Sequence, residues 1–178
     1  MLFTLRQATP ADVPAIETLI GASVRGLCGS DYTAAQIEAA LGTAFGVDSE
    51  LIRDNTYFVA EAAGEIVGCG GWSRRKTLFG GDRQPGRVSE LLDPARDRAR
   101  LRAFFVRPDW ARRGIGRALV LRCEADARAC GFHAFELVAT LPGRRLYAAF
   151  GYGGDERLDH RLPGDLAIEF VRMTKRLP

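Results

Sequence analysis

The chain is 178 residues long, 47% apolar and 26% charged, with a formal net charge of +3. That length supports one domain, residues 1–178, with a sizeable core, and the composition excludes wholesale disorder and fibrous repeats. No run of 18 apolar residues exists to span a membrane, and the opening MLFTLRQATPAD meets Arg6 before a signal peptide's apolar core could form, so a cytoplasmic location is expected.

Phe3–Thr9 alternates weakly and reads as a first strand ended by Pro10. Ala11-Asp12-Val13-Pro14 opens a helix through about Ala22, with its proline early, where a helix tolerates one. Gly26–Ser30 separates it from a second helix at about Thr33–Leu41. Thr56–Ala62 and Glu65–Trp72 are two strands around the tight turn Ala63-Gly64. Gly68, Gly70 and Gly71 inside the second strand mark a bulge or a close backbone approach. Lys76–Arg98, basic and punctuated by Gly and Pro, has no period and reads as a mobile loop. Arg100–Val106 is a strong strand stopped by Arg107-Pro108.

After Gly114, apolar or small residues recur at Ile115, Ala118, Leu119, Cys123, Ala127 and Cys130, the spacing of a helix that Gly131 ends. Phe132–Thr140 is the next strand, Pro142–Phe150 a short helix closed by Gly151, and Leu166–Thr174 a last strand. No internal repeat is visible. These elements imply an α/β domain built on a mixed sheet.

The net charge conceals a pattern. Residues 1–73 carry 3 basic and 9 acidic side chains, residues 74–117 carry 13 and 5, and residues 118–178 carry 9 and 8. A basic middle beside an acidic first third fits two partners, or two ends of one site, of opposite charge; chance clustering is the plainer account. Cys28, Cys69, Cys123 and Cys130 form no C-x-x-C pair, and with only His133 and His160 to help them no metal site is expected. They read as small buried residues of a reducing compartment, with Cys123 and Cys130 on one helix face.

The chemistry concentrates in Phe104–Val120, a strand, the link RPDWARR, then GIGRALV opening a helix. The first N–H groups of a helix lack intrahelical partners and, with the helix dipole, attract anions. Gly114 and Gly116 allow a turn tight enough for a phosphate to rest on the backbone, and Arg112, Arg113 and Arg117 add positive charge. The segment is not a P-loop, because the chain contains no Gly-Lys. A dinucleotide fingerprint would need glycine where Leu119 stands, although Glu136 lies 20 residues beyond Gly116, as that motif's ribose ligand would.

The run FFVRPDWARRGIGRAL (104–119) resembles the acetyl-CoA-binding motif of the GNAT superfamily of N-acetyltransferases, and ELVATLPGRRLYAAFGY (136–152) is similar to that family's next strand and short helix. TLRQATPAD near the start and VRMTK near the end also fit the family's edges, so the resemblance spans essentially the whole chain. One position departs: Ala111 stands where the family has Gln or Arg, and phosphate binding through backbone amides tolerates it.

The resemblance implies a mixed, mostly antiparallel sheet of six to seven strands, flanked by about four helices and splayed at a coenzyme cleft. It implies acetyl-CoA as donor, with the backbone of Phe105 and Val106 along the pantetheine arm and thioester, and Thr140 at the end of the facing strand. Amides and side chains from Ala111, Arg112, Arg113, Gly114, Ile115, Gly116, Arg117 and Ala118 would hold the diphosphate. Val106 N–H would stabilise the oxyanion. Tyr147 matches the general acid, whereas Tyr152 reads as packing. Glu61 and Glu90 are candidates for a base, each also readable as a surface charge, and a water chain is the family's other solution. His133 and His160 read as structural or exposed.

The implied reaction is direct acetyl transfer, in a ternary complex, to a primary amine of a small molecule or peptide. The acidic first third suggests a cationic acceptor. A non-catalytic acyl-CoA sensor using the same cleft is the alternative. A nucleic-acid module on the Arg-rich middle is not expected, since no recognised motif accompanies it and the net charge is modest. Family members are often homodimers, but no interface is specified by the sequence.

Overall fold

Apolar alternation on either side of Ala63-Gly64 builds the predicted hairpin, whose turn places Ala63 (φ +50°) and Gly64 (φ +81°) in the left-handed region that a two-residue connection requires. In the computed structural model, which describes residues 2–177, this hairpin is β2 (Tyr57–Ala62) and β3 (Glu65–Ser73). Before it run β1 (Thr4–Gln7), α1 (Val13–Leu27), α2 (Ala34–Ala40) and α3 (Ser49–Arg53). After it come β4 (Ala99–Val106), α4 (Ile115–Ala129), β5 (Ala134–Thr140), α5 (Arg144–Ala148), β6 (Gly153–Arg161) and β7 (Ala167–Arg176). The strands form one sheet in the order β1-β2-β3-β4-β5-β7-β6, antiparallel throughout except between β4 and β5. The predicted mixed, mostly antiparallel architecture is present, with one short helix more than expected.

Two apolar cores form because both faces of the sheet are covered. Ile115, Leu119, Val120, Cys123 and Ala127 recur at helical spacing, and α4 buries that stripe against Val67, Leu101, Phe135 and Leu137. On the opposite face, α1 buries Ile16, Leu19, Ile20 and Val24 against Tyr57, Val59 and Cys69. The glycine run of β3 is a place of close approach, as predicted. A Cβ on Gly68 would lie 2.5 Å from Ile115 Cγ2, at the first residue of α4. Gly68→Ala is therefore expected to cost about 1–3 kcal/mol by overpacking, read as a lowered midpoint in thermal denaturation.

Four local expectations are corrected. The break expected at Gly26 does not occur: α1 continues to Leu27, and its bare Cα lets the helix cross the 3₁₀ turn Pro108–Trp110, where a Cβ would stand 2.5 Å from Pro108 Cγ. α3 and β6 have no counterpart among the predicted elements. The Lys76–Arg98 segment folds back on itself: Lys76 N–H donates to Glu90 O, Thr77 N–H to Val88 O and Leu92 N–H to Arg74 O. Arg87 pins it to the body, reaching Asp48 (2.7 Å) and Glu50 (3.2 Å). Finally, Cys28, Cys69 and Cys123 are buried, but Cys130 is exposed beyond the last turn of α4 and does not share the Cys123 face.

Candidate active site

β4 carries an irregularity that shapes everything around it. Gly71 stands opposite Arg102 and Cys69 opposite Phe105, so Ala103 and Phe104 together oppose Gly70, and Ala103 takes φ +58°. The extra residue resets which side chains face which core. Ala99 and Leu101 face α4 before it, and Phe104 and Val106 after it, while Ala103 and Phe105 turn toward the α1 side. β4 and β5 are paired only at Ala99–Phe135 and Arg100–Glu136, and beyond that point they separate. Glu136 is buried at the parting, its carboxylate between Arg100 and Arg172. That position closes the dinucleotide alternative, because the carboxylate is committed to structure.

A cavity of about 570 Å³ fills the gap and is lined by residues from both faces of the sheet. One end is the start of α4. The first α4-type hydrogen bond at this terminus is Ala118 N–H to Gly114 O, so the amides of Ile115, Gly116 and Arg117 precede it. Arg112 (φ +64°) and Gly114 (φ +86°) are both left-handed, the kind of turn that gathers amides into an anion-binding concavity. Among the described residues, chain neighbours apart, no atom lies within 4 Å of a Cβ built on Gly114, so the backbone there is open to a ligand. Arg113 stacks on Trp110 (4.8 Å) and Arg117 on Phe150 (5.8 Å), which holds two exposed guanidinium groups beside the terminus. These residues fit a diphosphate.

At the middle of the cavity, Tyr147 is buried with its ring edge-on to Phe104 (6.0 Å) and Tyr152 (6.0 Å). Burial, with the Cys123 sulfur nearby, pushes its phenol well above the ordinary value. Thr140 Oγ1 accepts from Gly143 N–H (3.2 Å) and so orients the turn into α5. Val106 N–H donates to Ser23 Oγ of α1 (3.2 Å), so a carbonyl oxygen reaches that amide by taking the serine oxygen's place. Tyr152 donates to Glu124 (2.9 Å), which also holds Lys175 (2.8 Å), a structural role as expected.

Of the residues assigned to the coenzyme, Phe105, Val106, Ala111, Arg112, Gly114, Ile115, Gly116, Arg117 and Thr140 line this cavity, together with Tyr147. Arg113 and Ala118 stand beside it and do not line it. The base candidates lie elsewhere: Glu61 is paired with Arg6 (2.8 Å) at the far side of the sheet, and Glu90 with Lys76 (2.5 Å). His133 is exposed, and His160 packs edge-on to Phe79 (5.2 Å). Sequence reasoning missed Ser23, Phe45, Phe79, Arg102 and Phe170, which line the half of the cavity under α1. The one sequence signal among them is the scatter of lone aromatics at 45, 79 and 170.

The charge pattern resolves differently from either expectation. Seven of the nine acidic residues before position 74 are ion-paired. Four of them take partners from the basic middle. Arg75 meets Asp54 (2.8 Å), Arg87 meets Asp48 (2.7 Å) and Glu50 (3.2 Å), Arg102 also meets Asp48 (2.7 Å), and Arg107 meets Glu65 (2.6 Å). The two oppositely charged segments thus pair with each other in part.

A sheet opened between two parallel strands, with a helix N-terminus at one end of the gap, defines the acetyltransferase class to which the sequence motifs point. The acetyltransferase (GNAT) family model matches residues 30–152, and the chain belongs to that family, whose acetyl donor is acetyl-CoA. Solved structures share the fold. A GCN5-related N-acetyltransferase from Rhodopseudomonas palustris is 22% identical, with TM-score 0.73 over 99% of this chain and 97% of its own. PaiA N-acetyltransferase from Thermoplasma acidophilum, in complex with coenzyme A, is 14% identical, with TM-score 0.63 over 99% of each chain. YncA from Salmonella typhimurium, solved with acetyl-CoA, is 20% identical, with TM-score 0.65 over 99% of this chain and 94% of its own. A search of curated protein sequences finds no match.

Proposed function

We propose that the chain is a single N-acetyltransferase domain, acting in the cytoplasm, that transfers acetyl from acetyl-CoA to a primary amine by direct attack in a ternary complex. The observation that carries this reading is the continuity of one cavity from the α4 terminus, past Tyr147 and Val106, to the face covered by α1. A donor lying from the diphosphate end and an acceptor entering from the other side meet at the β4–β5 parting without an enzyme-bound acyl intermediate. The coenzyme A and acetyl-CoA bound in the related structures support the donor assignment.

In this reading the α4 amides and Arg112, Arg113 and Arg117 hold the diphosphate, and the separated edge of β4 at Phe105 and Val106 holds the pantetheine arm. Bound acetyl-CoA supplies a thioester whose carbonyl carbon accepts the amine: a C–N bond forms, the C–S bond breaks, the nitrogen loses one proton and the thiol gains one. To meet the carbonyl oxygen, where negative charge develops, Val106 N–H turns from its bond to Ser23 Oγ, and the freed Ser23 hydroxyl donates beside it. Tyr147 donates a hydrogen bond to the departing sulfur. Its raised phenol is a weaker acid than a thiol, so the hydroxyl stabilises the thiolate and need not surrender its proton to it.

The test is thermal denaturation with and without acetyl-CoA, followed by a thiol-release assay against amines. At 100 times its dissociation constant the donor should add about 2.7 kcal/mol of stability. Absence of any shift at saturating donor would remove the reading.

A further inference from the structure

The half of the cavity under α1 has a chemistry that the sequence did not suggest. Four phenylalanines from distant segments line it in a chain of ring contacts: Phe105 with Phe45 (6.2 Å), Phe45 with Phe170 (5.9 Å) and Phe170 with Phe79 (5.6 Å). Among the described residues, no Asp, Glu, His or Lys lines the cavity. Its charged side chains are arginines: Arg112 and Arg117 at the diphosphate end, and Arg102 under α1. Arg102 is buried, with its side chain 1% exposed; Asp48 and Gly80 O hold its Nη2, while Nε and Nη1 have no hydrogen-bond partner.

Such a wall penalises an ammonium ion twice. It offers no carboxylate to pair with the charge, and desolvation in an apolar pocket drives an unpaired cation toward its neutral form. Its other titratable groups, the Cys28 thiol and the Tyr147 phenol, are pushed up by burial and stay protonated at neutral pH, so no side chain of the wall takes the proton and the amine arrives without it. An amine of low basicity meets both conditions at little cost, whereas a polycation would bring further charges to a surface whose own cation is already under-partnered.

We propose that the acceptor is a weakly basic amine on an apolar, aromatic-sized body, taken up uncharged against Phe45, Phe79, Phe105 and Phe170, and that polycationic amines are excluded. The proposal rests on the acetyl-transfer reading above. It replaces the cationic acceptor that the acidic first third suggests, since none of those carboxylates lines the cavity and seven of the nine are paired with arginines.

Phenethylamine and phenylalaninamide test it, because they share a ring and an ethyl spine while the amide makes the second amine much less basic. At neutral pH and saturating acetyl-CoA, thiol release should show kcat/KM about tenfold or more higher for phenylalaninamide, with spermidine below both. Equal rates for the matched pair, or preference for spermidine or an aminoglycoside, would overturn the proposal while leaving acetyl transfer in place. Donor binding without acetylation of either aromatic amine would also overturn it. No donor-induced thermal shift and no thiol release would remove the transfer reading itself, and the proposal with it. Phe79 lies half-buried between α3 and β4 in sequence, so Phe79→Ala should raise KM for phenylalaninamide about tenfold and leave the donor-induced shift as it is. An unchanged KM would contradict the placement.

Discussion

Asp48→Ala is expected to destabilise the protein by about 3–5 kcal/mol, the usual consequence of removing one partner from a buried ion pair. In a chain of this size that corresponds to a fall of roughly 10 °C in melting temperature. Asp48 is fully buried and bridges Arg87 and Arg102, both at 2.7 Å. Its loss leaves Arg102 almost wholly inside the protein with Gly80 O as its remaining partner, and a guanidinium cannot escape by deprotonating. Arg87 is less affected because Glu50, itself fixed by Ser89 (2.5 Å), remains at 3.2 Å. Asp48→Ala combined with Arg102→Met should recover much of the loss, since the orphaned charge is then gone. Thermal and denaturant melts check this. A double variant as unstable as Asp48→Ala alone would show that the carboxylate acts by something other than compensating Arg102.

Tyr147→Phe carries the largest expected effect on activity. If its hydroxyl meets the charge developing on sulfur, removing it should lower kcat by about a hundredfold, as deletion of a donor to a transition-state charge does. Ring packing on Phe104 and Tyr152 is retained by phenylalanine, so the melting temperature and the donor-induced shift should stay close to those of the parent. Because burial raises this phenol, it stays protonated through the working range, and no alkaline fall in rate should belong to it. Steady-state thiol release over pH would show the same profile shape for both proteins, displaced downward in the variant. Near-parental kcat would make Tyr147 a packing residue.

The proposed coenzyme end was legible in the sequence because the recognition proposed for it is carried by backbone, and backbone needs are written in glycines. Gly114 and Gly116, with arginines around them and a strand before them, mark the proposed diphosphate site by local spacing. The acceptor end was not legible. Phe45, Phe79 and Phe170 lie in unrelated segments and converge only when the α2–α3 connection and the 76–98 excursion fold over the face of the sheet that carries Phe170 of β7. β6 (GGDERLDHR) escaped notice for a related reason. It is an edge strand exposed along most of its length, so no apolar alternation marks it. Arg87 belongs to the same category. Within a run of basic, Gly-rich sequence nothing distinguishes the one arginine that is drawn inward to Asp48.

The parting of β4 from β5 after Ala99–Phe135 and Arg100–Glu136 has a consequence for handling the protein. A sheet ordinarily has two rims; this one has two more, facing each other across an internal slot. Each carries peptide groups that no strand of the sheet pairs, and helix-side hydroxyls cover some of them: Ser23 accepts from Val106 N–H and Tyr32 from Leu141 N–H. Ligand in the slot would act as a surrogate strand. Solutions kept without it should cloud first on warming, and amide exchange along Phe104–Val106 and Val138–Thr140 should slow most when donor is added.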